Sequence, residues 1–244
     1  MKRLFVCVVL SGVLCSSGLA ALLYTGGHAD IGVAYEGGEL HLHFHAEGAE
    51  IGGVGGVDGE FEPGEIIIVA PGCARRARPA GAMWDFLGVG ESIWVLSEHA
   101  EHGDDHGHEH EAPFLGMGAE ELAAGIFVND QVRLSLAGVV GPGDFSVWQI
   151  GPLGEPVVFM ASADMGGTVP LMLTAGTHGH FNWGFTAPGL YEVTLLVEGY
   201  LLDGTLLAES GVFAFQVVPE PTSLMLIGLG AWAAFRRRQG LARK

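Results

Sequence analysis

Glu39-Leu40-His41-Leu42-His43-Phe44-His45 alternates apolar and polar residues with a period of two. A β-strand sends successive side chains to opposite faces, so Leu40, Leu42 and Phe44 take one face and three imidazoles the other. A helix would scatter the same residues around its axis. The stretch therefore predicts a strand that buries its apolar side and displays a row of potential metal ligands.

Extended along the chain, this reading gives further short β-like runs at residues 31–35, 65–70, 92–96, 131–137, 144–150, 156–161, 169–174, 180–186, 190–198 and 212–218. Turns rich in Gly, Pro and Asp separate them, and the chain contains 40 glycines. Many short strands at close spacing predict an all-β fold of immunoglobulin-like β-sandwich type, as one large or two small sandwiches, and not a parallel α/β sheet. A turn or two around residues 119–124 is the one helical stretch expected. Pro188-Gly189 supplies a tight turn, and Tyr191 just after it is similar to the tyrosine near the start of a late immunoglobulin-like strand.

The two ends read as processing segments. Lys2 and Arg3 precede an apolar stretch from Leu4 to Leu23, with Gly18-Leu19-Ala20 suiting a signal peptidase, so residues 1–20 are expected to be a secretory signal peptide. Leu14 before Cys15 disfavours the lipoprotein alternative, while an uncleaved anchor stays compatible with the length. Residues 218–244 hold Pro219-Glu220-Pro221, an apolar run at 224–235 expected as a short transmembrane helix, and Arg236-Arg237-Arg238. This order resembles the PEP-CTERM sorting signal, which implies processing by an exosortase. The arginines would remain cytoplasmic and leave the body of the protein outside, at the cell surface or in the extracellular matrix.

About 200 residues lie between these ends, enough for a substantial core. Apart from the terminal segments, the only basic residues are Arg75, Arg76, Arg78 and Arg133, set against 28 acids in the whole chain. Such a surface repels nucleic acid and anionic lipid and concentrates cations, although the same acids would also serve solubility alone. Cys7 and Cys15 fall in the signal, leaving Cys73 without a partner for an internal disulfide. The nearby arginines disfavour Cys73 as a ligand for a dication.

Ten of the 11 histidines form three groups: 41/43/45, 99/102/106/108/110 and 178/180, with His28 apart. Neutral imidazole is the commonest protein ligand for zinc and its neighbours. A His-x-His pair on a strand can bring both rings to one ion, and His43/His45 and His178/His180 are two such pairs. His28, with Asp30, is the natural further contributor, while a solvated strand face is the competing explanation of either pair alone. His41 is expected to be peripheral or shared with the histidine-rich stretch at 98–111, as a possible additional ligand. By alternation Asn182 shares the face of His178 and His180 and could orient a ligand ring, or simply bond to a neighbouring strand.

Residues 98–111 carry His99, His102, His106, His108 and His110 among carboxylates, with no large apolar residue. They predict a mobile loop that collects metal loosely, because every bound ion must first order it. Thiolate sites are excluded by the cysteine count and calcium is disfavoured by the spacing of the acids, leaving zinc or copper. No nucleophile elbow, His-Glu-x-x-His or phosphate-binding glycine loop occurs, so no enzyme is expected.

His28-Ala-Asp-Ile-Gly-Val-Ala-Tyr35-Glu-Gly-Gly-Glu-Leu, Leu42-His43-Phe-His45, and the stretch from Gly176 through His178, His180, Asn182 and Trp183 to Tyr191 resemble the choice-anchor M domain over residues 28–217. That resemblance implies a surface-anchored protein whose site residues are His28, His43, His45, His178 and His180. It also implies extracellular capture of zinc or manganese beside a metal ABC importer. The alternative is a structural or adhesive matrix protein associated with exopolysaccharide.

Overall fold

The computed structural model describes residues 21–99, 112–163 and 168–219. The expected signal peptide, most of the His-rich loop and the tail from residue 220 lie outside the described residues, including His102, His106, His108, His110, Glu220, Pro221, the 224–235 run and Arg236, Arg237 and Arg238.

The chain is built almost wholly of strands: β1 (Leu22–Glu36), β2 (Glu39–Ile51), β3 (Val54–Phe61), β4 (Ile66–Ala70), β5 (Arg75–Ala77), β6 (Ser92–Leu96), β7 (Phe114–Gly118) and β8 (Gln131–Val140). They continue as β9 (Phe145–Ile150), β10 (Pro156–Ala161), β11 (Leu171–Thr174), β12 (His178–His180), β13 (Asn182–Phe185), β14 (Gly189–Tyr200) and β15 (Leu206–Val217). Short 3-10 turns at Gly72–Ala74, Ala82–Leu87 and Val128–Asp130 are the only helical elements among the described residues. Two-residue turns of Gly37-Gly38 and Gly52-Gly53, all four at positive φ, join β1 to β2 and β2 to β3. Positive φ at both central residues matches the twist of the flanking strands, and glycine adopts it without a Cβ clash.

Two sheets result. The larger is mixed and ten-stranded, in the order β11-β8-β14-β15-β4-β1-β2-β3, with β7 joined to β1 and β12 joined to β7. The smaller has five antiparallel strands, β10-β9-β13-β6-β5. Strands from before and after residues 98–111 pair in both, as β1 does with β7 and β6 with β13.

One apolar core joins the sheets. Phe145, Trp183 and Phe185 of the smaller meet Tyr191 and Phe215 of the larger, with the Trp183 and Phe215 ring centroids 5.7 Å apart. All five side chains are essentially solvent-free. Burying each aromatic stabilises the fold by about 1.5–3 kcal/mol before entropy is counted. Trp183 Nε1 also donates to the Leu115 carbonyl at 2.9 Å, so the indole leaves no buried donor unmet.

The all-β expectation holds, with differences of detail. β1 starts nine residues upstream of the predicted run at Ile31, at Leu22. Strands β3, β5 and β7 were not predicted. Residues 119–124 form turns instead of helix. Parallel pairings β1–β4, β1–β7 and β4–β15 make the large sheet mixed.

The most consequential difference lies at Phe181. The predicted 180–186 strand is broken there, so that β12 pairs with β7 in the larger sheet while β13 pairs with β6 and β9 in the smaller. Asn182 consequently leaves the histidine face. Its Oδ1 accepts from Glu98 N at 3.2 Å and its Nδ2 donates to the Trp148 carbonyl at 3.4 Å. Glu98 in turn accepts from Ile150 N at 3.2 Å, so the first residue of the predicted mobile loop is held. Among the described residues, no helix is long and apolar enough to cross a membrane.

Candidate metal centre

Strands β2, β1, β7 and β12 lie side by side, and their register sets the histidines into rows. Asp30 of β1 is opposite His45 of β2 on one side and Gly116 of β7 on the other, and Gly116 is opposite His180 of β12. The next row runs His43, Gly32, Gly118, His178. His28 heads the preceding row, between Glu47 and Phe114. Alternate residues Ile31, Leu42, Phe44, Leu115 and Met117 turn inward to the core. Period-two alternation therefore holds on every strand of the patch.

Glycine makes room on this face. A Cβ at Gly32 would strike the ring of His43, and one at Gly116 would strike Oδ1 of Asp30 and come within 2.9 Å of the Gly179 carbonyl. The flat backbone beneath these positions lets the polar side chains lie low over the sheet. Asp30 is 3% exposed and His43 7%, both unusual for such groups without a compensating partner.

The donors gather into groups whose ligand atoms all lie within 4.8 Å of one another: His28/His178/His180, His43/His45/Glu121 and Asp30/Glu120/His178. In the first, Nε2 of His28 and Nε2 of His180 face each other at 3.0 Å. Two imidazole nitrogens on a tetrahedral zinc would stand about 3.3 Å apart, given Zn–N bonds of about 2.0–2.1 Å. Nδ1 of His28 lies 3.2 Å from Glu47 Oε2 and Nδ1 of His178 lies 2.7 Å from Glu120 Oε1. An Nδ1–H held by a carboxylate leaves Nε2 as a lone pair, the arrangement that orients metal-binding imidazoles. Phe114 stacks on His180 with centroids 4.0 Å apart and fixes that ring from one side.

In the second group, Glu121 Oε1 lies 3.0 Å from His43 Nε2 and 3.5 Å from His45 Nδ1. Neither nitrogen has hydrogen-bond geometry to any partner, although both are buried. Asp30 stands beside the first group, its Oδ2 3.6 Å from His28 Nε2, and its Oδ1 has no hydrogen-bond partner. Buried polar atoms converging without bonding one another suit a cation better than they suit a hydrogen-bond network.

Electrostatics agree with this chemistry. Burial, reinforced by His28 and His178, lowers the His180 pKa to about 4, so the ring is neutral at pH 7. The hydrogen bond to Glu120 raises His178 above its ordinary value. Burial raises Asp30, against the pull of His28 and His178.

The sequence-derived residues are thus sorted. His28, His178 and His180 come together with Asp30 beside them, while His43 and His45 form a separate group. His41 and the exposed His99 join none of these groups. Glu47, Glu120 and Glu121 were missed by the sequence reading. Glu120 and Glu121 follow β7 after Ala119, in the stretch expected as a helical turn, and no periodicity marks them.

Residues 217–239 match the PEP-CTERM protein-sorting motif. No curated protein and no solved structure matches the chain. The motif implies an exported, surface-associated protein that is a substrate of exosortase processing.

Proposed function

We propose that this is an exported, surface-retained protein that binds zinc, or manganese or copper in its place, for extracellular metal capture. The observation that carries the reading is the convergence of His28, His178 and His180 from two non-adjacent strands, with two of the three rings oriented through Nδ1 by Glu47 and Glu120. The resemblance to the choice-anchor M domain supports it independently, as does the acidic body. On this reading the fold is an immunoglobulin-like sandwich, with the Tyr191 hydroxyl bonding back to Ala187 as the corner tyrosine of that class does. The function is binding and not catalysis: the histidine patch presents ligands, and its carboxylates are engaged in orienting or neutralising them.

Thermal unfolding of the exported chain with zinc, manganese, copper or chelator is the direct test. An ion bound at 100 times its dissociation constant stabilises by about 2.7 kcal/mol. The expected result is a zinc-dependent rise in Tm that His28→Ala with His180→Ala diminishes. No shift with any of the three metals, and none with chelator, would sink the proposal.

A further inference from the structure

The geometry points to two divalent ions on this sheet face, one held by His28, His178 and His180, the other by His43, His45 and Glu121, with Asp30 as a carboxylate common to both. This deepens the metal-binding reading above and rests on it.

A single zinc takes about four ligands, each within about 2.0–2.3 Å. The two groups share no residue, and each already supplies three donors within 4.8 Å. An ion held by the first group would leave His43 Nε2 and His45 Nδ1 of the second, which are buried and have no hydrogen-bond partner, unsatisfied. Each group lacks a fourth donor, and Asp30 lies in the row between them. It aligns with His45 across β2 and, through Gly116, with His180 across β7. It is also within ligand distance of His178 together with Glu120.

Charge points the same way. Imidazoles ligate a metal as neutral groups, whereas Asp30, Glu47, Glu120 and Glu121 place four carboxylates at the patch. Four carboxylates can match two dications, and the buried one, Asp30, lies in the row between the groups. The turn after β7 ties the groups together, since consecutive residues Glu120 and Glu121 reach one each.

The test counts ions. Zinc is titrated into the exported chain carrying His99→Ser, His102→Ser, His106→Ser, His108→Ser and His110→Ser, which removes the loop imidazoles, and bound metal is read by native mass spectrometry and elemental analysis. Two ions are expected, falling to one in His43→Ala with His45→Ala and to one in His28→Ala with His180→Ala, each variant being checked for native circular dichroism. One ion in the parent protein, lost with either pair, overturns the two-ion centre while leaving metal binding intact; no ion at all overturns the metal-binding reading itself. Substitution with cobalt(II) tests the shared carboxylate without depending on those variants. Spin coupling between two cobalt ions is expected and should vanish in Asp30→Asn, whereas two magnetically independent ions would remove Asp30 from that role.

Discussion

Gly32 and His43 face one another across the β1–β2 pair, and the His43 imidazole occupies the space a Cβ at position 32 would need. This contact fixes where the His43/His45 group can form. Gly32→Ala should push the His43 ring away from Glu121, weakening that group's zinc affinity at least tenfold and leaving the His28 group unchanged. Overpacking of this kind costs about 1–3 kcal/mol of stability. Isothermal titration of the variant checks both effects, and unchanged affinity at both groups would show that His43 is not a ligand.

Phe114 stands in the same relation to His180, stacked at 4.0 Å. Removing the ring in Phe114→Ala should expose His180 and raise its pKa from about 4 towards the ordinary 6.5, because burial is the largest cause of the depression. Histidine proton chemical shifts followed against pH in the chelated protein would show the change. A His180 that still titrates near 4 would mean that His28 and His178, and not burial, set its value.

The same shifts give the chelated protein a defined response to acid. His180 is depressed in the folded state, so the unfolded chain binds more protons between pH 6.5 and about 4, and stability is lost as pH falls through that window. His178 is raised, so its contribution is present below 6.5 and is lost as pH rises through its folded value. Urea unfolding at pH 7, 5.5 and 4.5 should therefore find the acid loss reduced in His180→Gln, and stability at pH 5.5 lowered in His178→Gln. An unaltered pH profile in His180→Gln would remove that residue as a source of acid sensitivity.

The β2 histidine row was legible because period-two alternation over Leu40 to His45 leaves no other strand reading. Its partners were less so. β7 reads Phe-Leu-Gly-Met-Gly beside a loop-like segment, and its parallel pairing with β1 is a long-range contact that leaves no local periodic trace. Without β7, His178 and His180 appear to be neighbours of His43 and His45; with it, an added strand separates the pairs and creates two groups. Asn182 was misplaced for a related reason: alternation presumes one continuous strand, and Phe181 carries the chain from one sheet to the other. The glutamates at 120 and 121 reach the histidines from a turn, where no sequence period applies.

A last prediction separates fold from site. The Tyr191 hydroxyl donates to the Ala187 carbonyl at 2.9 Å and accepts from Ala187 N at 3.2 Å, closing the turn that launches β14. Tyr191 is fully buried against Phe185, so Tyr191→Phe keeps the packing and leaves two backbone groups without their partner. A net loss of about 1–2 kcal/mol is expected, which lowers Tm by about 2–8 °C for a body of this size at 2–4 °C per kcal/mol. Residues 187–191 take no part in the histidine groups. Zinc stoichiometry and affinity should therefore match the parent protein while the melting curve moves. If zinc binding fell together with Tm, the metal centre would depend on the core between the sheets and could not be treated as a patch assembled by β1, β2, β7 and β12 alone.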